Sequence, residues 1–249
     1  MITDYLLFSF ETPDTNLLYT GQYNYGLVVL SFGIIVLASY TALFVAQFVE
    51  QINERKKQMI LLTLGGTTLG VGIWSMHFVG MLGFSIPVRI AYDPWITAIS
   101  VLPGIAAGIY SLHLISRRNR GLHSLLIGGS LIGSSIGVMH YTGMAAMRMD
   151  AVLSYDPIFF LFSIIVAVVL AALALWVRYG VIHLFPALEK YALLLASLIM
   201  GGSVYCMHYT AMHAAYFLIG SDNPSTESSF DPLTLAVIVS GISVFLIGF

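Results

Sequence analysis

Apolar stretches of about twenty residues alternate along the chain with short polar breaks. The alternation predicts seven helical spans: Gly26–Phe48, Met59–Phe84, Trp95–Ile115, Leu122–Met147, Ile158–Val177, Tyr191–Ile219 and Leu233–Phe249. A membrane-crossing helix needs roughly 20 residues. All the spans reach that length except the last, which stops at 17 residues, apolar throughout and without a polar flank. That ending predicts a longer native chain that continues into a further domain. The fold class read from the pattern is an all-α polytopic membrane protein with seven transmembrane helices. Residues 1–25 form an extracytoplasmic N-terminal segment and residues 26–249 one seven-helix domain.

Composition narrows the function classes. Of 249 residues, 58% are hydrophobic and 9% charged, against roughly 25% charged in a soluble domain. Mean hydropathy is +0.90. Soluble enzymes, disordered tails and nucleic-acid binders with a basic face are excluded. The single cysteine, Cys206, excludes an internal disulfide framework and a cysteine-rich zinc cluster.

Charge sets the expected orientation. Basic residues mark cytoplasmic loops. Eight of the ten, Arg55, Lys56, Lys57, Arg117, Arg118, Arg120, Arg178 and Lys190, fall in alternate breaks. The intervening breaks and the N-terminus hold nine of the twelve acids: Asp4, Glu11, Asp14, Asp93, Asp150, Asp156, Asp222, Glu227 and Asp231. The N-terminus is therefore expected outside and the C-terminus in the cytoplasm.

Three even-numbered spans carry one string: Met76-His77-Phe78-Val79-Gly80-Met81, Met139-His140-Tyr141-Thr142-Gly143-Met144 and Met207-His208-Tyr209-Thr210-Ala211-Met212. The histidines are 63 and 68 residues apart. Each string is followed by an aromatic-Asp-Pro triplet: Tyr92-Asp93-Pro94, Tyr155-Asp156-Pro157 and Phe230-Asp231-Pro232. Asp suits a helix cap and Pro the first turn after it. The repeat predicts three helical hairpins, each built as motif, outer loop, next span and inner loop.

A stripe extends inward from each motif. Gly70, Gly133 and Gly201 stand seven residues before the histidines, Gly66, Gly129 and Ser197 eleven before, and Met81, Met144 and Met212 four after. At about 100° per residue these offsets fall within roughly 40° of the histidine. Small residues on one stripe let membrane helices approach closely. The stripes predict that spans two, four and six pack together about a pseudo-threefold axis, with spans three, five and seven outside. The first methionine of each motif, Met76, Met139 or Met207, sits on the flank.

An imidazole inside a membrane helix is costly and points to function. Thioether and imidazole donors together favour copper, especially Cu(I). Zinc prefers cysteine, histidine and carboxylate, and calcium and magnesium want oxygen. Bis-histidine haem would leave the methionines unexplained. The candidate metal ligands are thus His77, His140, His208, Met81, Met144, Met212, Met76, Met139 and Met207, with copper ahead of zinc or haem. No catalytic constellation is legible in the sequence.

These strings and the seven-span pattern resemble the MHYT family of bacterial integral-membrane sensor domains. The second and third motifs match fully; the first reads Met76-His77-Phe78-Val79 and lacks both hydroxyls. The resemblance implies copper near the outer face of a bacterial cytoplasmic membrane. It implies sensing of oxygen, carbon monoxide, nitric oxide or another redox-active input. It also implies a cytoplasmic output domain that makes or breaks cyclic di-GMP, with no enzyme in these residues. The expected partners are the bilayer, a metal ion, a small gas and that output domain, with homodimerisation open. The rival reading is a transporter or channel for copper or another small solute, which would need a polar path inward; a third is a redox enzyme.

Among secondary features, Trp74 and Tyr205 are read as ordinary packing and Cys206 as a small apolar packer. His213 is expected to face the outer water. His113, His123 and His183 suit the cytoplasmic interface, and Ser221–Ser229 reads as a polar outer loop.

Overall fold

A computed structural model describes residues 6–117, 121–180, 184–220 and 229–247. Asp4, Arg118, Arg120, His183, Asp222, Glu227 and all of the Ser221–Ser229 loop except Ser229 lie outside them, as does Phe249. The helices are α1 (Tyr25–Val49), α2 (Arg55–Leu82), α3 (Pro94–Ile99), α4 (Leu102–Ile115), α5 (Leu122–Ala145), α6 (Pro157–Tyr179), α7 (Glu189–Ala214) and α8 (Pro232–Ile247). Among the described residues, six segments are long and apolar enough to cross a membrane: α1, α2, α3 with α4, α5, α6 and α7. The seventh, α8, is a shorter apolar helix.

Two spans depart from the expected continuous helix. The third breaks between Ile99 and Leu102, because Pro103 has no N–H to give the Ile99 carbonyl. At the break the Thr97 carbonyl accepts from Trp74 Nε1 at 3.0 Å and from Ser100 Oγ at 2.7 Å. The sixth span stops being helical at Ala214; its last residues form strand β7 (Ala215–Ile219), antiparallel to β6 (Ala151–Tyr155). A short apolar run reads the same in helix and strand, and the β6 partner decides it.

The remaining strands gather at the same end of the bundle. β1 (Leu7–Phe8) pairs parallel with β6, β2 (Gln22–Tyr23) antiparallel with β3 (Phe84–Ser85), and β4 (Ala91–Tyr92) antiparallel with β5 (Met147–Arg148).

Helix packing corrects the expected arrangement. The motif helices α2, α5 and α7 do form the inner set. The outer places are taken by α1 between α7 and α2, α4 between α2 and α5, and α6 between α5 and α7. Span seven is not the third outer helix: α8 lies against the outside of α2, and α1 closes the ring.

The glycine stripes seat these outer helices and not the other motif helices. A methyl on Gly66 would lie 2.3 Å from the Ile109 nitrogen, and one on Gly70 2.3 Å from the Ile105 nitrogen, both in α4. On Gly129 and Gly133 it would lie 2.3 Å and 2.4 Å from Ala172 and Val168 Cα in α6. On Gly201 it would meet the Val36 side chain of α1 at 2.6 Å. The partner across each stripe is thus an outer helix, not another motif helix.

The outer helix starts are fixed in a recurring way. Asp93 Oδ1 accepts from the Trp95 and Ile96 N–H groups at 3.0 Å each, and Asp156 Oδ1 from Ile158 and Phe159 at 2.8 and 3.0 Å. Asn24 caps α1 in the same manner. The backbone N–H of each cap then reaches the end of the following motif helix: Asn24 to the Gly83 carbonyl at 2.7 Å, Asp93 to Ala146 and Asp156 to Ala214 at 2.8 Å each. Each acceptor stands six residues after a motif histidine. These latches join an outer helix to the motif helix that follows it, one step out of register with the hairpins expected from sequence. Asp93 also ion-pairs with Arg148 at 3.0 Å.

Asp156→Ala should therefore lower stability by about 0.5–2 kcal/mol, the usual loss on removing a cap. Asp93→Ala should lower it further, since the Arg148 pair goes too. Thermal unfolding in detergent measures both; equal midpoints for the wild type and Asp93→Ala would refute the stabilising role of the cap and the ion pair.

Candidate metal centre

Each histidine sits in the last two turns of its helix, next to the strand-capped end. The helices aim all three rings at the bundle axis. His77 Nδ1 lies 3.1 Å from His140 Nδ1 and 3.2 Å from His208 Nδ1, and the latter two are 3.2 Å apart. The rings stand nearly perpendicular to one another, at 80–81°. They are 1–2% exposed. Each Nε2 is buried without a hydrogen-bond partner.

Three Nδ1 atoms in mutual contact cannot satisfy one another. A neutral imidazole offers one N–H and one lone pair. With all N–H groups inward the hydrogens collide, with all lone pairs inward they repel, and in any mixture of tautomers two like groups still face each other. A shared cation satisfies all three. Metal–nitrogen bonds near 2.0 Å in a tetrahedral arrangement would separate the nitrogens by about 3.3 Å, close to the observed spacing. Three separate metal sites, one per histidine, do not fit it. Among the described residues, His77, His140 and His208 form the cluster with metal-ligand spacing.

Sequence reasoning missed what holds the rings. A methyl on Gly143 would lie 2.5 Å from His77 Nε2, and one on Gly80 2.8 Å from His208 Nε2. The His77 and His208 rings thus back onto bare stretches of neighbouring motif helices. The signal was in the strings themselves, which all carry a small residue three after the histidine: Gly80, Gly143 and Ala211. Gly143→Ala should push the His77 ring off the axis. We expect metal affinity to fall by roughly 10–100-fold, as when an outer partner of a ligand is lost, with the fold retained. Titration of the purified variant checks it, and unchanged affinity refutes it.

The six motif methionines, Met76, Met81, Met139, Met144, Met207 and Met212, are all buried in the same core. Met207 turns its methyl towards α5, 3.8 Å from where a Gly137 Cβ would be.

The residue after each histidine is a ring that packs edge-on to it: His77 on Phe78, His140 on Tyr141 and His208 on Tyr209, at 4.7–4.9 Å. Each of these meets the ring just before an outer-helix cap. Phe78 meets Tyr92 at 5.7 Å, Tyr141 meets Tyr155 at 5.4 Å and Tyr209 meets Tyr23 at 5.6 Å. The Phe78 for Tyr exchange keeps this packing without a hydroxyl. Burial pushes the Tyr23 hydroxyl up to about 12, with Tyr209 adding to it. It raises Tyr92 and Tyr155 still further. These three tyrosines are therefore uncharged through the physiological range.

Secondary features fall as follows. Trp74 packs on Phe78, and Tyr205 on Phe32 and Tyr209, as ordinary packing residues. His213 is exposed and sits against Phe159. Cys206 is exposed on the bundle surface, not packed inside it, because its place on α7 faces away from the neighbouring helices. His113 lies 3.5 Å from Arg117, four residues on, and His123 is exposed.

A family model described as the bacterial signalling protein N terminal repeat, MHYT, matches residues 70–128 and 133–188. The bifunctional diguanylate cyclase/cyclic di-GMP phosphodiesterase MucR of Pseudomonas aeruginosa is 38% identical over 229 residues, covering 91% of this chain and 33% of that protein. The cyclic di-GMP phosphodiesterase NbdA of the same organism is 36% identical over 233 residues, covering 92% of this chain and 29% of NbdA. The signaling protein YkoW of Bacillus subtilis is 35% identical over 203 residues, covering 78% of this chain and 24% of YkoW. The chain thus spans about a third or less of the relatives it matches. No solved structure matches it.

Proposed function

The chain belongs to the MHYT family of bacterial signalling proteins, and on that premise we propose that it is a copper-dependent sensor module of the bacterial inner membrane. The observation that carries the reading is the meeting of three buried Nδ1 atoms at 3.1–3.2 Å. His77, His140 and His208 would hold the ion. The methionines supply the soft donors that favour Cu(I) over zinc, with Met81, Met144 and Met212 one turn beyond the histidines. When bound, copper supplies a redox-active centre able to take a small ligand such as oxygen, carbon monoxide or nitric oxide.

The chain's own part is to hold three neutral imidazoles in a dry site. Burial without a bound cation leaves the inward Nδ1 atoms unsatisfied by one another, which is unfavourable. Loading therefore stabilises one arrangement of α2, α5 and α7. A ligand that binds two arrangements unequally shifts their populations. The N-terminus is placed outside and the far ends of α2 and α4 in the cytoplasm, following the basic residues Arg55, Lys56, Lys57 and Arg117. The output is the turnover of cyclic di-GMP by a domain joined to this one, as the names of MucR and NbdA support.

Metal analysis of protein purified in detergent tests the reading. Copper retained at stoichiometric amounts, with a change of spectrum on carbon monoxide or oxidant, supports it. Zinc or iron alone, or copper flux into liposomes, would overturn it, the latter in favour of a transporter.

A further inference from the structure

On the strand-capped side the Tyr23, Tyr92 and Tyr155 rings pack on the aromatic neighbours of the three buried histidines. The flanks of the cluster are not equivalent. Three residues before each histidine, on the flank of each motif helix, stand Trp74, Gly137 and Tyr205. The first and third copies fill this place with an aromatic ring: Trp74 is 5% exposed and packs on Phe78, and Tyr205 packs between Phe32 and Tyr209. The second copy has no side chain there.

A crevice of about 550 Å³ opens at that place, between α5 and α6. Its walls include Gly137, Val138, Tyr141 and Thr142 of α5 and Phe160 and Ile164 of α6. Val138 is 53% exposed, on the bundle surface that faces lipid. On the inner side of Gly137, a Cβ would be 3.8 Å from the methyl of Met207, the residue before His208. The crevice therefore runs from the lipid-facing surface to Gly137, behind which lies the methyl of the residue next to His208. The lining is apolar apart from the hydroxyls of Ser134, Thr142 and Tyr141, the last already bonded to Ser163 at 2.9 Å, and it holds no charged group to receive an ion.

We propose that this crevice is a lateral portal, through which a small uncharged ligand dissolved in the bilayer reaches the metal centre, with Gly137 as its threshold. The ligand class is the apolar diatomic gas. Such molecules partition into hydrocarbon and need no hydrogen-bonding partner on the way. The portal rests on the reading of the site as a small-ligand sensor, but makes a separate claim about the route. Trp74 and Tyr205 close the two equivalent routes, so entry is confined to the second copy.

The test uses the copper-loaded protein in lipid nanodiscs and the rate of carbon monoxide uptake. Gly137→Trp restores the ring of the other copies, and Val138→Trp fills the crevice from its lipid side without touching helix packing. Both should slow uptake by roughly tenfold or more, with copper content and equilibrium affinity unchanged. Gly33→Trp serves as control, since a side chain there meets nothing within 4 Å. Unchanged rates in both portal variants at full copper content would overturn the portal and leave the sensor reading intact. If the wild type takes up no copper or no carbon monoxide, the sensor reading fails. Xenon NMR of the metal-free protein then decides the portal alone. Xenon bound in the wild type and lost in Val138→Trp supports it, and absence of xenon from the wild type refutes it.

Discussion

Replacing His77, His140 and His208 together by alanine should abolish copper binding, and replacing any one should lower affinity on the order of 100-fold or more. Losing even an outer partner of a ligand typically lowers affinity 10–100-fold, and a first ligand contributes both a bond and the geometry. The three single variants should behave alike, because the three nitrogen separations differ by only 0.1 Å. The stability of the metal-free protein should fall far less. Each alanine removes an imidazole whose buried Nε2 has no partner, and relieving an unpaired buried polar group offsets part of the cavity it leaves. Copper titration with thermal unfolding of the metal-free forms separates the two effects. One variant that keeps full affinity would show that its ring lies outside the site.

Gly133→Leu and Gly70→Leu should be the most disruptive substitutions that touch no ligand. At Gly133 the first added carbon would lie 2.4 Å from Val168 Cα, and at Gly70 2.3 Å from the Ile105 nitrogen. Both obstacles are backbone, so no side chain can swing aside. Overpacking costs typically 1–3 kcal/mol and occasionally more, and a leucine against a helix backbone belongs at the upper end. Because α4 and α6 each bridge two motif helices, unseating either should splay the histidines and empty the metal site. Gly33→Leu, which meets nothing within 4 Å, should leave both stability and metal content unchanged. The readouts are copper per protein and the unfolding midpoint in detergent. Normal copper in Gly133→Leu would mean that α6 does not set the position of His140.

The membrane spans are legible in the chain alone, apart from the break before Pro103 and the strand that ends the sixth span. Length and apolarity suffice for that, and the predicted starts of α1, α5 and α6 fall within a residue of those observed. The sequence marks the caps Asp93 and Asp156, because a carboxylate before Pro satisfies free N–H groups locally. It also singled out His77, His140 and His208, since an imidazole repeated within apolar runs has no packing reason to recur.

The tertiary structure alone decided that the three rings meet through Nδ1, that Gly80 and Gly143 make room for them, and that the glycine stripes face α4 and α6. It alone put α1 in the third outer place and α8 outside the ring. The reason is physical. A helical wheel fixes directions about a helix's own axis but not which neighbour stands in that direction. In a membrane it lacks even the usual guide, for lipid and protein interior are equally apolar and no polar face marks the outside. Which helix lies across each stripe was settled by the latches from Asn24, Asp93 and Asp156 to residues as many as 59 positions away, and contacts that distant leave no local periodicity to read.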